Sequence, residues 1–498
     1  MDTRAAPEPV KAQFVSLLKF FSMKIILSIL LTLCWHCSMS QNSVMGIWEG
    51  ILKLPQQELK LIFTFNEKNG HSTALLNVPQ QSPISIPADS VNFNSQEAYA
   101  RFKKFKIEFS GTLINDTTIS GTFLQGASFP IILIKTDKIA QAEIPARSQT
   151  PKPPFPYKVK EIDFYNADKS IHYAGTLTCP DDKTRLEKYP AVLLISGSGP
   201  QNRDEEIFGH KPFAIIADYL TRKGMVVLRV DDRGVGKTTG TFAGSTTLDF
   251  MHDAMAAFDF LKQQPQVNKK YMGIIGHSEG GMIAEMMGAK RSDVDFIILL
   301  AAPGIRNIDL MAAQNVAIFK SKGVSAAAAE NYGNLFKLMC TGILQAKTAE
   351  EAEENTVKNI IEWNAPVAVK KELHFESLDT IRLFASSFVN EVNTIPMRYF
   401  LAYDPMPNFK KIKSKVLALN GSKDIQVLPD PNLAGIQQGL KHLGKKKLKI
   451  QELPGLNHLF QTCKVCNLDE YVTLEESFSP LALEAMGDWL QQQNIITP

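Results

Sequence analysis

The sequence predicts an α/β architecture, a mostly parallel sheet flanked by helices, with a small all-β domain in front of it. Three observations carry this expectation. From about residue 158 onward, short apolar runs recur, and most end in Gly, Asp or Ser. Helical stretches separate most of these runs. Ahead of them, residues from about 44 to 138 alternate apolar and polar side chains with period two. The chain of 498 residues, 44% hydrophobic and 21% charged, has a composition close to that of an average globular protein. Its length argues for two or three domains. The net charge is only +3 and the Lys and Arg residues are spread out. Nothing forms the basic stripe of a nucleic-acid-binding surface.

Residues 1–40 read as a secretory signal peptide. Lys24 precedes the apolar run Ile25–Leu33, and Ser38-Met39-Ser40 follows. This is the order of a positive region, a short apolar region and a small-residue cleavage site. Cleavage before Gln41 fits it, and the signal reads complete from Met23, an alternative start. Lipidation of Cys34 or Cys37 is a second reading, disfavoured by His36 and Leu33 just before them. The apolar run is too short to span a bilayer, and no other stretch approaches about 18 consecutive apolar residues. The expected location is periplasmic or extracellular, without a stable membrane span.

Residues 41–140 are expected to form an antiparallel β domain. Leu59, Leu61, Phe63 and Phe65 alternate with Lys60, Ile62, Thr64 and Asn66, and Phe105, Ile107 and Phe109 alternate with Lys104, Lys106 and Glu108. Such alternation marks half-buried strands of a sandwich or barrel. A linker is expected over 141–157, where Pro145, Pro151, Pro153, Pro154 and Pro156 crowd together and stiffen the chain.

The α/β domain is expected over 158–303 and 409–498. Its apolar runs are AVLLISGSG, MVVLRVDD, YMGIIGHS, VDFIILLAAPG, KVLALNGSKD and LKIQELPG. Continuous apolar runs suit a parallel sheet buried on both faces. In such sheets ligands bind beyond the carboxyl ends of the strands. Residues 304–408 lack a strand signal and read as helical, a candidate cap or lid over those ends.

The stretch Gly276-His277-Ser278-Glu279-Gly280 fits G-x-S-x-G between a strand and a helix. In that setting the strained turn holds Ser278 out as a nucleophile. A serine needs a base, and His458, on a loop after the last apolar run, is the candidate. His277 is read as structural, because adjacent side chains at such a turn diverge. Asp424 is the candidate to orient His458, and Asp430 is a weaker one. The oxyanion of a tetrahedral intermediate would be held by the backbone N–H of Glu279 and of Ser198, in the loop LLISGSGPQNRDE. Gly234–Thr238 resembles the end of a phosphate-binding loop. Asp231, however, stands where that motif requires glycine, so nucleotide binding is not expected. Of the six cysteines, Cys463 and Cys466 form an isolated C-x-x-C. Zinc sites need four ligands, so a local disulfide or two free thiols is the simpler reading. No metal or other cofactor is expected. Lys445-Lys446-Lys447 reads as a solvated chain end.

The elements GHSEGG, DDRGVGKT, GSKD and GLNH resemble the α/β-hydrolase superfamily, whose chain order is Ser, acid, His. The loop SGSGPQNRDE and the segment GLNHLFQ are similar to those of EstD-like carboxylesterases, close to the serine aminopeptidase-type hydrolases. The resemblance covers about residues 158–495. It implies a metal-independent serine hydrolase acting on small-molecule carboxylic esters. One departure is Ser196, where many relatives have His. An aminopeptidase on the same fold is the nearest alternative, and a non-catalytic binding protein is a second. Oligomeric state is not legible.

Overall fold

The computed structural model describes residues 44–53, 58–68, 71–79, 82–125, 127–136, 147–181 and 188–497. The expected signal peptide lies outside them. No described helix is long and apolar enough to cross a membrane. The chain divides into two compact units, Met1–Gln141 and Ala142–Pro498.

The described part of the first unit is one nine-stranded antiparallel sheet: β1 (Gly46–Lys53), β2 (Glu58–Lys68), β3 (His71–Val78), β4 (Ser82–Pro87), β5 (Ser90–Phe93), β6 (Glu97–Phe102), β7 (Ile107–Asn115), β8 (Thr118–Gln125) and β9 (Ala127–Thr136). Its order is β4-β3-β2-β1-β9-β8-β7-β6-β5. Trp48, Phe63, Phe65, Phe102 and Phe109 share one core. The Phe63 and Phe109 rings stand 4.5 Å apart, and the Trp48 indole N–H donates to Val44 O at 2.6 Å. One expectation fails here. Phe105 is not a strand residue: Lys103–Phe105 is a turn of 3₁₀-helix, and Lys106 leaves it at φ 51°. The left-handed residue breaks the ladder, so Phe105 sits 40% exposed while Ile107 and Phe109 are buried.

The second unit holds an eight-stranded sheet: β10 (Tyr157–Tyr165), β11 (His172–Pro180), β12 (Tyr189–Ile195), β13 (Val226–Val230), β14 (Val267–His277), β15 (Phe296–Leu300), β16 (Lys415–Gly421) and β17 (Leu448–Leu453). Its order is β10-β11-β13-β12-β14-β15-β16-β17. The six apolar runs are β12 to β17, and all are mutually parallel. Val192 and Leu194 enter the core on one face, Ala191, Leu193 and Ile195 the core on the other. The antiparallel pair β10 and β11 was not singled out in the sequence. Thr176 and Thr178 dilute the apolar signal of β11, yet both are buried. They satisfy their hydroxyls on Glu161 and Thr221.

The chain leaves β12 for β13 on one side and then returns to β14 on the other. That reversal opens a crevice beyond the carboxyl end of β12. Helix Thr247–Gln263 flanks it. Thr246 caps this helix reciprocally with Asp249, an arrangement worth about 1 kcal/mol. Its own Phe258 and Leu261 are fully buried, each contributing roughly 1.5–3 kcal/mol.

Between β15 and β16 the chain makes a helical excursion. It comprises Asn307–Ser321, Ala326–Gln345, Ala349–Glu362, Val367–Glu372, Leu378–Val392, Ile395–Ala402 and Met406–Phe409. Leu335, Phe336 and Met339 belong to a core of its own. At its root, Asn307 N donates to Tyr403 O at 3.0 Å. Tyr403 OH donates to the buried Glu285 at 2.8 Å.

The described end of the expected linker does not run free. Arg147 donates to the carbonyls of Leu474, Val472 and Phe208. The Gln149 side-chain oxygen accepts from the N–H groups of Ser477 and Phe478. A boundary at Tyr157 would therefore cut chain that is tied to the second unit.

Candidate active site

Ser278 stands at the sharp turn between β14 and helix Glu279–Lys290, with φ 53° and ψ −119°. A non-glycine residue at positive φ is strained. Its flanking glycines make the turn sterically feasible. A Cβ on Gly280 would lie 2.1 Å from Ile195 O, and one on Gly276 would lie 2.1 Å from Gly280 O. The turn is braced by Ser278 N donating to Leu300 O at 2.9 Å.

Asp424 and His458 come from the loops after β16 and β17. Asp424 Oδ2 is 2.8 Å from His458 Nδ1. Its other oxygen accepts from the N–H groups of Gln426 and Val427 at 2.8 and 2.9 Å. Both residues are buried. The His458 loop is held by Asn457, whose Oδ1 accepts from the N–H groups of Leu459 and Gln461. Asp430 lies instead in the first turn of helix Pro429–Leu440. Among the described residues, Ser278 Oγ makes no hydrogen bond to His458. The two are joined through His277, whose Nε2 is 3.0 Å from His458 O.

The loop after β12 lies directly against the turn. A Cβ on Gly197 would be 3.2 Å from Ser278 Cβ. Glu279 opens its helix, so its N–H has no acceptor within that helix. Gly197 N–H is committed to Glu205 Oε1 at 2.6 Å. Ser198 Oγ donates to Glu279 Oε2 at 2.7 Å, and Thr247 Oγ1 donates to Glu279 Oε1 at 2.6 Å. Ser196 Oγ donates to Asp232 at 3.1 Å. A cleft next to this loop is lined among others by Ser196, Gly199, Asp232, Phe242, Phe250 and Glu279, while Ser278, Asp424 and His458 are not among its lining residues. None of its lining residues comes from the helical excursion. The Asp232 carboxyl is pushed up to about 7, chiefly by burial and further by the nearby Glu205 and Asp253, against the bonds from Gln201 N and Ser196.

Glu205, Asp232 and Thr247 were not singled out in the sequence. They occupy loops and a helix start with no spacing pattern that ties them to Ser278. The turn DDRGVGKT is a hub of ion pairs. Asp231 pairs with Arg203 at 2.8 Å, and Arg233 pairs with Asp253 at 2.6 Å. Cys463 and Cys466 form a disulfide. The short turn Gly444–Lys447 keeps Lys445, Lys446 and Lys447 exposed.

Residues 211–340 match the family model described as serine aminopeptidase, S33. Esterase EstD of Thermotoga maritima is 31% identical over 150 residues, 30% of this chain and 35% of the relative. Dipeptidyl-peptidase 5 of Porphyromonas gingivalis is 28% identical over 139 residues, 26% of this chain and 19% of that protein. The aligned part thus spans about a third or less of the length of these curated relatives. Among solved structures, Est1E of Butyrivibrio proteoclasticus with ferulic acid bound is 18% identical at a TM-score of 0.38, covering 66% of this chain and 99% of that one. The Pyrococcus furiosus esterase Pf2001 is 14% identical at a TM-score of 0.38, covering 68% of this chain and 93% of that one. Over these stretches the second unit is thus similar to serine aminopeptidase-type hydrolases and to an esterase.

Proposed function

We propose that the chain is an exported serine esterase that cleaves small carboxylic esters through an acyl-enzyme. One observation carries the reading: the buried Asp424–His458 contact of 2.8 Å, whose histidine backbone is bonded to His277, the residue before a serine held at φ 53°. With Asp424 at Nδ1, the proton of a neutral His458 sits on that nitrogen, and Nε2 is left as the base. Ser278 Oγ attacks the ester carbonyl as Nε2 takes its proton. The same imidazolium then gives the proton to the leaving alcohol. Water, activated by His458 in turn, releases the acyl group. The N–H groups of Glu279 and Ser198 would hold the oxyanion, each donor worth about 3 kcal/mol of barrier. No step requires a metal.

The helical excursion is proposed to act as the cap that sets acyl preference. It does so through helix Thr247–Gln263, which supplies Phe250 to the cleft and packs near Tyr399 and Phe400 of the excursion. Export rests on the sequence of residues 1–40. An aminopeptidase is kept as a second reading because Glu279 and Asp232, two carboxylates with no ion-pair partner among the described residues, line the cleft.

The test is fluorophosphonate labelling combined with turnover of p-nitrophenyl esters and aminoacyl-nitroanilides. Labelling at Ser278 with ester turnover is expected. An unlabelled Ser278, or Ser278→Ala with undiminished turnover, rules the serine mechanism out. Preference for the anilides selects the aminopeptidase.

A further inference from the structure

Two buried histidines in the second unit differ in what faces their ring nitrogens. His210 meets Tyr471 O at Nε2 and Ser477 Oγ at Nδ1, at 2.9 and 2.8 Å. A hydroxyl can donate, so the neutral ring satisfies both contacts. His277 meets Glu205 Oε1 at Nδ1 and His458 O at Nε2, at 2.9 and 3.0 Å. A carboxylate and a carbonyl only accept. A neutral imidazole has one N–H and can serve only one of them; the other contact would set lone pair against lone pair. Both contacts are hydrogen bonds when the ring carries two protons.

Charge balance agrees. Glu205 and His277 are 4% and 6% exposed, and a buried carboxylate is costly without a cation. Burial by itself would lower the proton affinity of His277. The Glu205 charge and hydrogen bond, the His458 carbonyl and the Asp424 charge outweigh it and raise the affinity above the ordinary value. The charged and titratable groups acting on the ring are thus Glu205, Asp424 and the His458 ring, whose centroid is 4.8 Å away. The edge of Phe460 lies on another side.

The pair touches three parts of the site. Glu205 Oε1 accepts from Gly197 N–H at 2.6 Å, next to Ser198. His277 is bonded covalently to Ser278. Its far nitrogen holds the backbone of His458 itself. Glu205 reaches inward from a backbone at φ 51°, the strained left-handed region that persists where surroundings over-determine it.

We propose that Glu205 and His277 form a carboxylate–imidazolium pair that positions the oxyanion loop and the His458 backbone against Ser278. They are positioning residues and do not exchange protons with substrate. The proposal rests on the Ser278–Asp424–His458 reading.

In Glu205→Gln the amide oxygen can still accept from Gly197 N–H, but the charge is gone. His277 then becomes neutral and loses one of its two bonds. A displacement of the base by about 1 Å costs roughly 10²-fold in rate. The experiment uses the full chain with ring-¹⁵N-labelled histidine and a p-nitrophenyl ester. At about pH 8, where an ordinary imidazole is neutral, His277 is expected to show two ring N–H signals in the parent chain and one in Glu205→Gln. The variant's kcat should fall roughly 10²-fold with KM within about threefold. Parent kcat in a folded Glu205→Gln, or a single ring N–H on His277 in the parent chain, overturns the proposal. If the variant does not fold, the proton count on the parent chain decides. Activity surviving in Ser278→Ala would refute the serine mechanism, and the proton count would still report on the pair separately.

Discussion

Asp424→Asn separates the proposed mechanism from mere proximity of two polar groups. In the parent chain, Oδ2 faces His458 Nδ1 at 2.8 Å while Oδ1 accepts two backbone N–H groups. An asparagine keeps its carbonyl oxygen on those N–H groups, because its amide nitrogen cannot accept from them. The NH₂ group is then turned toward Nδ1 and must donate to it. That forces the His458 proton onto Nε2, the nitrogen that should receive the proton of Ser278 Oγ. The shape of the loop is preserved and the base is lost. In triads of this kind the cost is about 10⁴ in kcat, or about 5 kcal/mol of barrier. The assay is steady-state kinetics on a p-nitrophenyl ester, with circular dichroism and a thermal melt to establish folding. Asp430→Asn is the control and should stay within about twofold, because substitutions away from the reacting groups leave the barrier unchanged. A folded Asp424→Asn that keeps kcat within about tenfold of the parent would refute the assignment of Asp424.

Three further outcomes are expected. A chain starting at Ala142 should keep ester turnover, whereas one starting at Tyr157 loses the Arg147 and Gln149 bonds to residues 472–478. Several such hydrogen bonds at about 1 kcal/mol each should give it a clearly lower melting temperature, and equal melts would contradict this anchoring. His210 is held at about 4, first by burial and further by Arg147, against the Tyr471 carbonyl. The neutral ring is thus the form the fold favours, so its stabilisation is full above pH ~6.5 and fades as pH falls toward ~4, by at most about 3 kcal/mol; His210→Gln should flatten that part of the stability curve. Substitutions of Tyr399 and Phe400 should change relative kcat/KM across acyl lengths by roughly 10-fold or more, with fluorophosphonate labelling retained; an unchanged acyl profile would remove the cap role.

Much of the framework was legible because it rests on local pattern. The six parallel strands announce themselves as continuous apolar runs, since a strand buried on both faces has no polar side to show. The turn at Ser278 is legible because a sharp strand-to-helix turn needs small residues in fixed places, and Gly276 and Gly280 meet backbone atoms that no Cβ could approach. Strand β11 was obscured by buried threonines whose partners lie elsewhere in the chain, at Glu161 and Thr221. Phe105 continued an alternation that a single left-handed residue interrupts.

The sequence by itself determined the parallel core, the turn at Ser278, and the candidacy of Asp424 and His458. Each follows from neighbours along the chain or from position after a strand. Only the tertiary structure decided that Asp424 and not Asp430 meets His458, that the proline-rich stretch is tied down by Arg147 and Gln149, and that His277 is gripped between Glu205 and the His458 carbonyl. The physical reason is that these are contacts between loops set far apart in sequence. A hydrogen bond depends on where two backbones bring donor and acceptor, and no periodicity records that distance.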